Sequence, residues 1–208
     1  MHGLDLAAFR STPLTRMPFP YLVVPGFVTA AARDAINADY PRIEAPGSFP
    51  TYGLSYGLAF RDFLQALTGN ATRAAFEEKF GISLKRKPTM VTVRGRCGTR
   101  DGNIHTDAPS KIITALIYMN PQWEAAGGCL RLLRSATNID DAIVEIPPLE
   151  GTLVAFQRTD NSYHGHKLFV GPRRVIQLNW MTGAHVKIYE LLRHRVSAWV
   201  KGLKARMR

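Results

Sequence analysis

The sequence predicts an α+β domain in which helices come first along the chain and antiparallel strands follow. Residues 30–80 contain segments with helical periodicity, each bounded by capping or helix-breaking residues. Residues 88–181 contain short runs of apolar and β-branched residues, separated by Gly, Pro and Asn. Short strands with frequent turns are typical of an antiparallel barrel or sandwich, which the helices would support on one side.

The first elements of the chain are a short strand and a helix. Residues 20–25 are mostly apolar between two prolines, which predicts a strand. Thr29 is a suitable N-cap for a helix that runs to about Asp39, and Pro41 ends it.

A long loop and two more helices are predicted next. Residues 41–57 hold three prolines and several aromatic residues without clear periodicity, so we interpret them as a loop that could act as a lid over a site. Helices are predicted over about 59–67 and 71–80, and Gly81 is placed to end the second of them.

Seven strands are predicted downstream, each a run that favours extended backbone and ends at a turn signal. They cover residues 90–94, 112–118, 129–133, 143–146, 151–156, 163–169 and 173–181.

Residues 185–208 return to a helical period and predict a basic amphipathic C-terminal helix, after a domain that spans residues 1–184. Its apolar stripe consists of Leu192, Val196, Trp199 and Leu203. The stripe could pack on the barrel, join a second copy in a homo-oligomer, or lie on an anionic membrane.

Length and composition exclude several classes of protein. The 208 residues suit one domain, 46% of them are hydrophobic, and no apolar run is long enough for a transmembrane helix. Residues 1–20 lack the apolar segment of a secretory signal, and only two cysteines are present, so we expect a cytoplasmic protein. The net charge of +11 is compatible with an acidic partner, but no nucleic-acid motif is evident.

The pattern His105-Thr106-Asp107 predicts part of a metal site. In an extended strand His105 and Asp107 would point to the same side, and Thr106 would point away. A histidine from a distant strand would complete two imidazoles and a carboxylate. That set, with open coordination positions, is diagnostic of non-haem Fe(II) oxygenases.

Two downstream histidines compete for the third ligand position. His164 and His166 lie two residues apart, so one strand could aim both rings at the metal. Only one is needed, and the other could contact a substrate.

Two adjacent arginines follow a Gly-Pro turn and enter the last strand. The planar guanidinium group of arginine suits a dicarboxylate because it makes two parallel charge-assisted hydrogen bonds. Alternation places Arg173 with Gln177 and Asn179 on a polar face, whereas Arg174 falls on an apolar face. We therefore favour Arg173 as the arginine that faces the cavity and keep Arg174 as the alternative.

Residues 88–182 resemble the prolyl-hydroxylase-like 2-oxoglutarate/Fe(II) dioxygenases. The shared motifs occur in order: His-x-Asp at 105–107, Thr-x-x-x-Tyr-x-Asn at 114–120, Gly-Gly-x-Leu-Arg at 127–131, and His164 followed nine residues later by arginine. The resemblance implies a double-stranded β-helix, the jelly-roll barrel of cupin-like proteins, with supporting N-terminal helices.

The resemblance also implies roles for individual residues. His105, Asp107 and His164 would bind iron. Arg173 and Tyr118 would bind the distal carboxylate of 2-oxoglutarate, and Thr114 would lie nearby.

The expected function is a dioxygenase that uses Fe(II), 2-oxoglutarate and O2 to hydroxylate a C–H bond of a small-molecule or peptidyl substrate. One alternative is a catalytically silent cupin-like barrel that binds a ligand or a polyanion. Another is a cupin-type metal enzyme that does not use 2-oxoglutarate. The release of succinate from 2-oxoglutarate would distinguish the first class from the other two.

Overall fold

The computed structural model of the protein describes residues 3–183, which form four helices and two antiparallel sheets. The helices are α1 (Leu6–Ser11), α2 (Ala30–Ala38), α3 (Leu58–Leu67) and α4 (Asn70–Phe80). The strands are β1 (Tyr21–Val24), β2 (Phe49–Pro50), β3 (Thr89–Cys97), β4 (Lys111–Tyr118), β5 (Leu130–Leu133), β6 (Ala142–Ile146), β7 (Leu153–Gln157), β8 (His164–Gly165) and β9 (Gly171–Met181). The predicted α+β arrangement is confirmed. The predicted helix over 185–208 lies outside the described residues.

Strands β4 and β9 form the centre of the larger sheet. Its six strands lie in the order β1-β7-β4-β9-β3-β2, and the smaller sheet has the order β6-β5-β8. Neighbouring strands within the described residues are antiparallel in both sheets. The register pairs Tyr118 with Val175 and Thr114 with Asn179, so the second pair brings two polar residues from distant segments together.

The helices cover one face of the larger sheet. Ile176, Leu178 and Trp180 of β9 point into a buried core that they share with aromatic residues of α3 and α4. Trp180 lies 4.5 Å from Phe76, measured between ring centroids. This packing confirms the predicted apolar face of the last strand, because residues two apart in a strand point to the same side.

The opposite face of the larger sheet packs on the smaller sheet. Tyr118 and Val175 of the larger sheet share a second buried core with Leu132 and Ile146 of the smaller sheet. The two sheets therefore face one another, and a cavity lined by residues of both lies beside this core.

Most predicted elements appear at their expected positions. Helix α2 begins after Thr29, although the threonine side chain makes no capping hydrogen bond. Helix α4 ends at Gly81, whose φ of 66° is the left-handed conformation that favours glycine at this position. None of the helices in residues 3–183 has the length and apolar character needed to cross a bilayer.

One helix was not predicted, and two predictions about secondary structure need correction. Helix α1 was not expected; it has only six residues, and the Asp5 carboxylate caps it by accepting a hydrogen bond from the Ala8 N–H at 2.8 Å. Residues 41–57 are not a continuous loop, because they contain β2, which pairs with β3, and a 3-10 turn. The strand predicted over 163–169 is only two residues long.

Candidate active site

His105 and His164 lie side by side across an isolated β-bridge. The His105 N–H donates to the carbonyl oxygen of His164 at 3.0 Å, and the His164 N–H donates to that of His105 at 2.9 Å. The centroids of the two rings are 4.3 Å apart. The extended strand predicted for residues 105–107 is wrong, because this bridge is the whole of the regular pairing there.

Backbone carbonyl groups orient both imidazole rings. Nδ1 of His105 lies 2.8 Å from the carbonyl oxygen of Asn103, and Nδ1 of His164 lies 3.0 Å from that of Ser162. Since a carbonyl oxygen only accepts, each Nδ1 carries the proton and each Nε2 keeps a free lone pair. Burial lowers the pKa of His164 to about 4, which leaves this ring neutral at pH 7.

Asp107 joins these two histidines in a group that could hold a metal ion. One possible ligand atom from each of the three residues lies within 4.8 Å of the others. Burial alone would raise the pKa of Asp107, but the positive charge of Lys111 and the hydrogen bonds from Lys111 and Thr114 outweigh burial and lower it. The carboxylate is therefore ionised, and the three side chains fit the donor set of an Fe(II) site.

Both carboxylate oxygens of Asp107 accept hydrogen bonds. Lys111 Nζ donates to Oδ1 at 2.6 Å, and the Thr114 hydroxyl donates to Oδ2. Asn179 Nδ2 in turn donates to Thr114 Oγ1 at 2.8 Å. Thr114 lines the cavity as expected, but its hydrogen bonds support Asp107.

Arg173 and Tyr118 form a second feature of the same region. Arg173 is 5% exposed, its Nε donates to the carbonyl oxygen of Gly128 at 2.8 Å, and its guanidinium carbon lies 5.3 Å from the Tyr118 ring centroid. Within residues 3–183 no carboxylate pairs with Arg173, and the buried Tyr118 hydroxyl has no hydrogen-bond partner.

These two groups suit an anionic ligand. Burial raises the pKa of Tyr118, although the charge of Arg173 opposes the increase, so the hydroxyl is protonated and can donate. A carboxylate placed between the buried guanidinium group and this hydroxyl would satisfy both. Arg173 lines the cavity, whereas the fully buried Tyr118 is not among the residues of the cavity wall.

Gly128 supports the position of Arg173. Its φ is 82°, and a Cβ atom there would lie 2.6 Å from the ring of Trp123. A side chain would therefore strain the turn whose carbonyl group accepts from Arg173.

Arg174 lies on the other side of β9. Its guanidinium carbon is 5.1 Å from the Tyr40 ring centroid, and its Nη1 lies 3.3 Å from Oδ1 of Asn37 in α2. It does not line the cavity. This placement removes Arg174 from the candidate co-substrate ligands, because alternation directs it towards the helices.

His166 lies in the wall of the cavity but outside the group of candidate metal ligands. Its Nδ1 is 2.8 Å from the carbonyl oxygen of Lys167. Burial and the charge of Arg173 lower its pKa to about 4. Its position suits contact with a bound substrate.

The cavity has a volume of about 530 Å³ and brings together residues from β3, β4, β8 and β9. Its volume lies within the usual range for small-molecule sites. Sequence reasoning missed the contact of Lys111 with Asp107, and it also missed the salt bridge of 2.8 Å between Arg94 and Asp101 in the cavity wall. Neither pair has a distinctive local motif. Only their proximity in the fold reveals them.

Comparisons with known proteins agree with this site. Residues 95–182 match the sequence profile of the 2OG-Fe(II) oxygenase superfamily. Among curated proteins, none matches the sequence.

Several solved structures have a similar fold. A prolyl 4-hydroxylase from Pseudomonas putida is 16% identical, with a TM-score of 0.53 over 88% of this chain and 95% of that one. A viral collagen prolyl hydroxylase from Paramecium Bursaria Chlorella virus-1, in complex with 2OG, is 17% identical, with a TM-score of 0.52 over 79% of this chain and 96% of that one. HygX from Streptomyces hygroscopicus, with nickel and 2-oxoglutarate bound, is 12% identical, with a TM-score of 0.54 over 85% and 84% of the two chains.

The matched segment contains the three candidate metal ligands as well as Tyr118 and Arg173. Fe(II), 2-oxoglutarate and O2, the cofactor and co-substrates expected from the sequence, are those of this class of oxygenase. Residues 95–182, which contain this site, therefore match the 2OG-Fe(II) oxygenase superfamily.

Proposed function

We propose that the protein is a hydroxylase that oxidises an unactivated C–H bond of a small molecule or a peptide. His105, Asp107 and His164 would hold Fe(II), and Arg173 with Tyr118 would bind the distal carboxylate of 2-oxoglutarate. One observation carries the proposal: the candidate ligand group lines the same cavity as the buried Arg173, which pairs with no carboxylate within residues 3–183.

When bound, iron, 2-oxoglutarate and O2 would supply the oxidising chemistry, with CO2 and succinate as the products of 2-oxoglutarate. The residues of the chain hold and orient these groups. Nε2 of each of the two histidines and the ionised carboxylate of Asp107 have lone pairs available to coordinate a metal ion. The buried position of Arg173 strengthens its attraction for a carboxylate, because the local dielectric constant is low.

We further propose that the two facing sheets form the double-stranded β-helix implied by the resemblance. The similarity to solved oxygenase structures supports this fold. Another solved structure with a similar fold is a prolyl hydroxylase from Trichoplax adhaerens in complex with a peptide fragment, so both peptides and small molecules belong among the substrates to test. Both cysteines of the chain are free, which supports a cytoplasmic protein.

The test is the release of succinate from 2-oxoglutarate by the purified protein with Fe(II) in air. We expect succinate from the wild-type protein and none above background from Asp107→Ala. Arg174→Ala is a matched control that should retain turnover. A catalytically silent barrel would give no succinate with any candidate substrate. A screen for products heavier by one oxygen atom would then identify the substrate.

A further inference from the structure

Three polar side chains connect the inner face of β9 to Asp107. Gln177 Nε2 donates to Asn179 Oδ1 at 3.1 Å, Asn179 Nδ2 donates to Thr114 Oγ1 at 2.8 Å, and the Thr114 hydroxyl donates to Asp107 Oδ2. Thr114 and Asn179 are 1% and 0% exposed. Because β4 and β9 place these two residues opposite one another, the connection depends on the register of the sheet.

The direction of these hydrogen bonds is determined by their chemistry. The Thr114 hydroxyl has one proton, and it accepts a hydrogen bond from the amide group of Asn179. Its own proton is therefore free to point at Asp107. Gln177 donates a hydrogen bond to the side-chain oxygen of Asn179. This bond keeps the NH2 group of Asn179 directed at Thr114.

The two donors to Asp107 differ in charge. Lys111 holds Oδ1 with a full positive charge, which would repel a metal ion bound at the same carboxylate. Thr114 is neutral, so its hydrogen bond to Oδ2 is compatible with a cation on a remaining lone pair of the carboxylate. Thr114 can therefore keep the carboxylate orientation both with and without a metal ion.

We propose that Thr114, oriented by Asn179, is a positioning residue that holds the carboxylate of Asp107 in the orientation required for metal binding. The inference rests on the proposed role of Asp107 as a metal ligand. It differs from the role that the resemblance implies for Thr114, which is proximity to 2-oxoglutarate. Outer hydrogen-bond partners of metal ligands commonly contribute 10- to 100-fold to metal affinity.

The experiment measures the affinity of the purified full-length protein for Mn(II), by calorimetry or electron paramagnetic resonance, for a graded series at position 114. Thr114→Ser keeps the hydroxyl and should bind Mn(II) nearly as tightly as the wild-type protein. Thr114→Cys has a weak donor and should be intermediate. Thr114→Val keeps the shape but has no donor, and we expect its affinity to fall by roughly 10- to 100-fold.

The matched control is Thr152→Val, which changes a buried threonine that does not line the cavity. It should leave Mn(II) affinity unchanged, and circular dichroism would establish that each variant is folded. If Thr114→Val does not fold, the Ser and Cys variants still decide the question. Equal affinities across the folded members of the series would overturn the inference.

Asp107→Ala separates this inference from the proposed function. Loss of Mn(II) binding in Asp107→Ala, together with unchanged binding in Thr114→Val, would refute only the role of Thr114. Unchanged binding in Asp107→Ala would refute the ligand assignment itself, and the inference would fall with it.

Discussion

Lys111 Nζ lies 2.6 Å from Oδ1 of Asp107, and the exposed fractions of the two side chains are 11% and 6%. This pair puts a buried positive charge beside the carboxylate that is proposed to bind metal. In such pairs, removing one partner is costly, because the other charge stays buried without compensation. The metal-free site is therefore stabilised by Lys111, and a bound cation would take over part of that role.

Lys111→Met should lower the free energy of unfolding of the metal-free protein by about 3–5 kcal/mol, because Asp107 loses its buried partner. Saturating Mn(II) should stabilise this variant more than the wild-type protein, since the metal no longer meets repulsion from Lys111. Denaturant unfolding with EDTA and with Mn(II) measures both effects. The control is Lys85→Met, which replaces an exposed lysine. If Mn(II) stabilises Lys111→Met and the wild-type protein by the same free energy, the prediction is wrong.

His105, Asp107 and His164 should each be needed for metal binding, whereas His166 should not. The three residues bring ligand atoms together, and His166 lies outside this group. Alanine variants of all four residues would be compared by Mn(II) affinity. If His164→Ala keeps Mn(II) and His166→Ala loses it, the third metal ligand is His166 and the assignment of His164 is wrong.

Arg173→Ala should weaken 2-oxoglutarate binding strongly, on the order of 2–5 kcal/mol, as for other buried charge pairs. Arg174→Ala should have a much smaller effect, because Arg174 packs on Tyr40 away from the cavity. The measurement is calorimetric titration of 2-oxoglutarate into the Mn(II)-loaded variants, after their metal content has been checked. A larger loss in Arg174→Ala than in Arg173→Ala would refute the assignment of the cavity-facing arginine.

The metal-free protein should lose stability as the pH falls from about 6.5 towards 4. The pKa of His164 is about 4 in the folded state and near 6.5 when unfolded. The unfolded state therefore binds more protons in this range, so stability rises with pH and decreases on acidification. Complete loss of this contribution amounts to roughly 3 kcal/mol.

The check is the free energy of unfolding in EDTA at several pH values for wild type and His164→Gln. The variant should show a shallower pH dependence between 4 and 6.5. Part of the dependence should persist, because burial also lowers the pKa of His166. Identical slopes for the two proteins would rule out His164 as a source of acid sensitivity.

Local patterns in the sequence were enough to predict much of this protein. The order of helices and strands follows from periodicity, caps and turn residues, which act over a few neighbours. The inward direction of Arg173 and the outward direction of Arg174 follow from alternation in one strand. The ordered motifs also contain His105, Asp107, Thr114, His164 and Arg173, which line one cavity in the structure.

Only the tertiary structure decided which of these residues touch. His105 meets His164 through a bridge in irregular backbone, which no strand pattern predicts. Thr114 reaches Asp107 with the support of Asn179, because the register between β4 and β9 joins positions 65 residues apart. Contacts of this kind depend on how distant segments align, and local periodicity carries no information about that alignment.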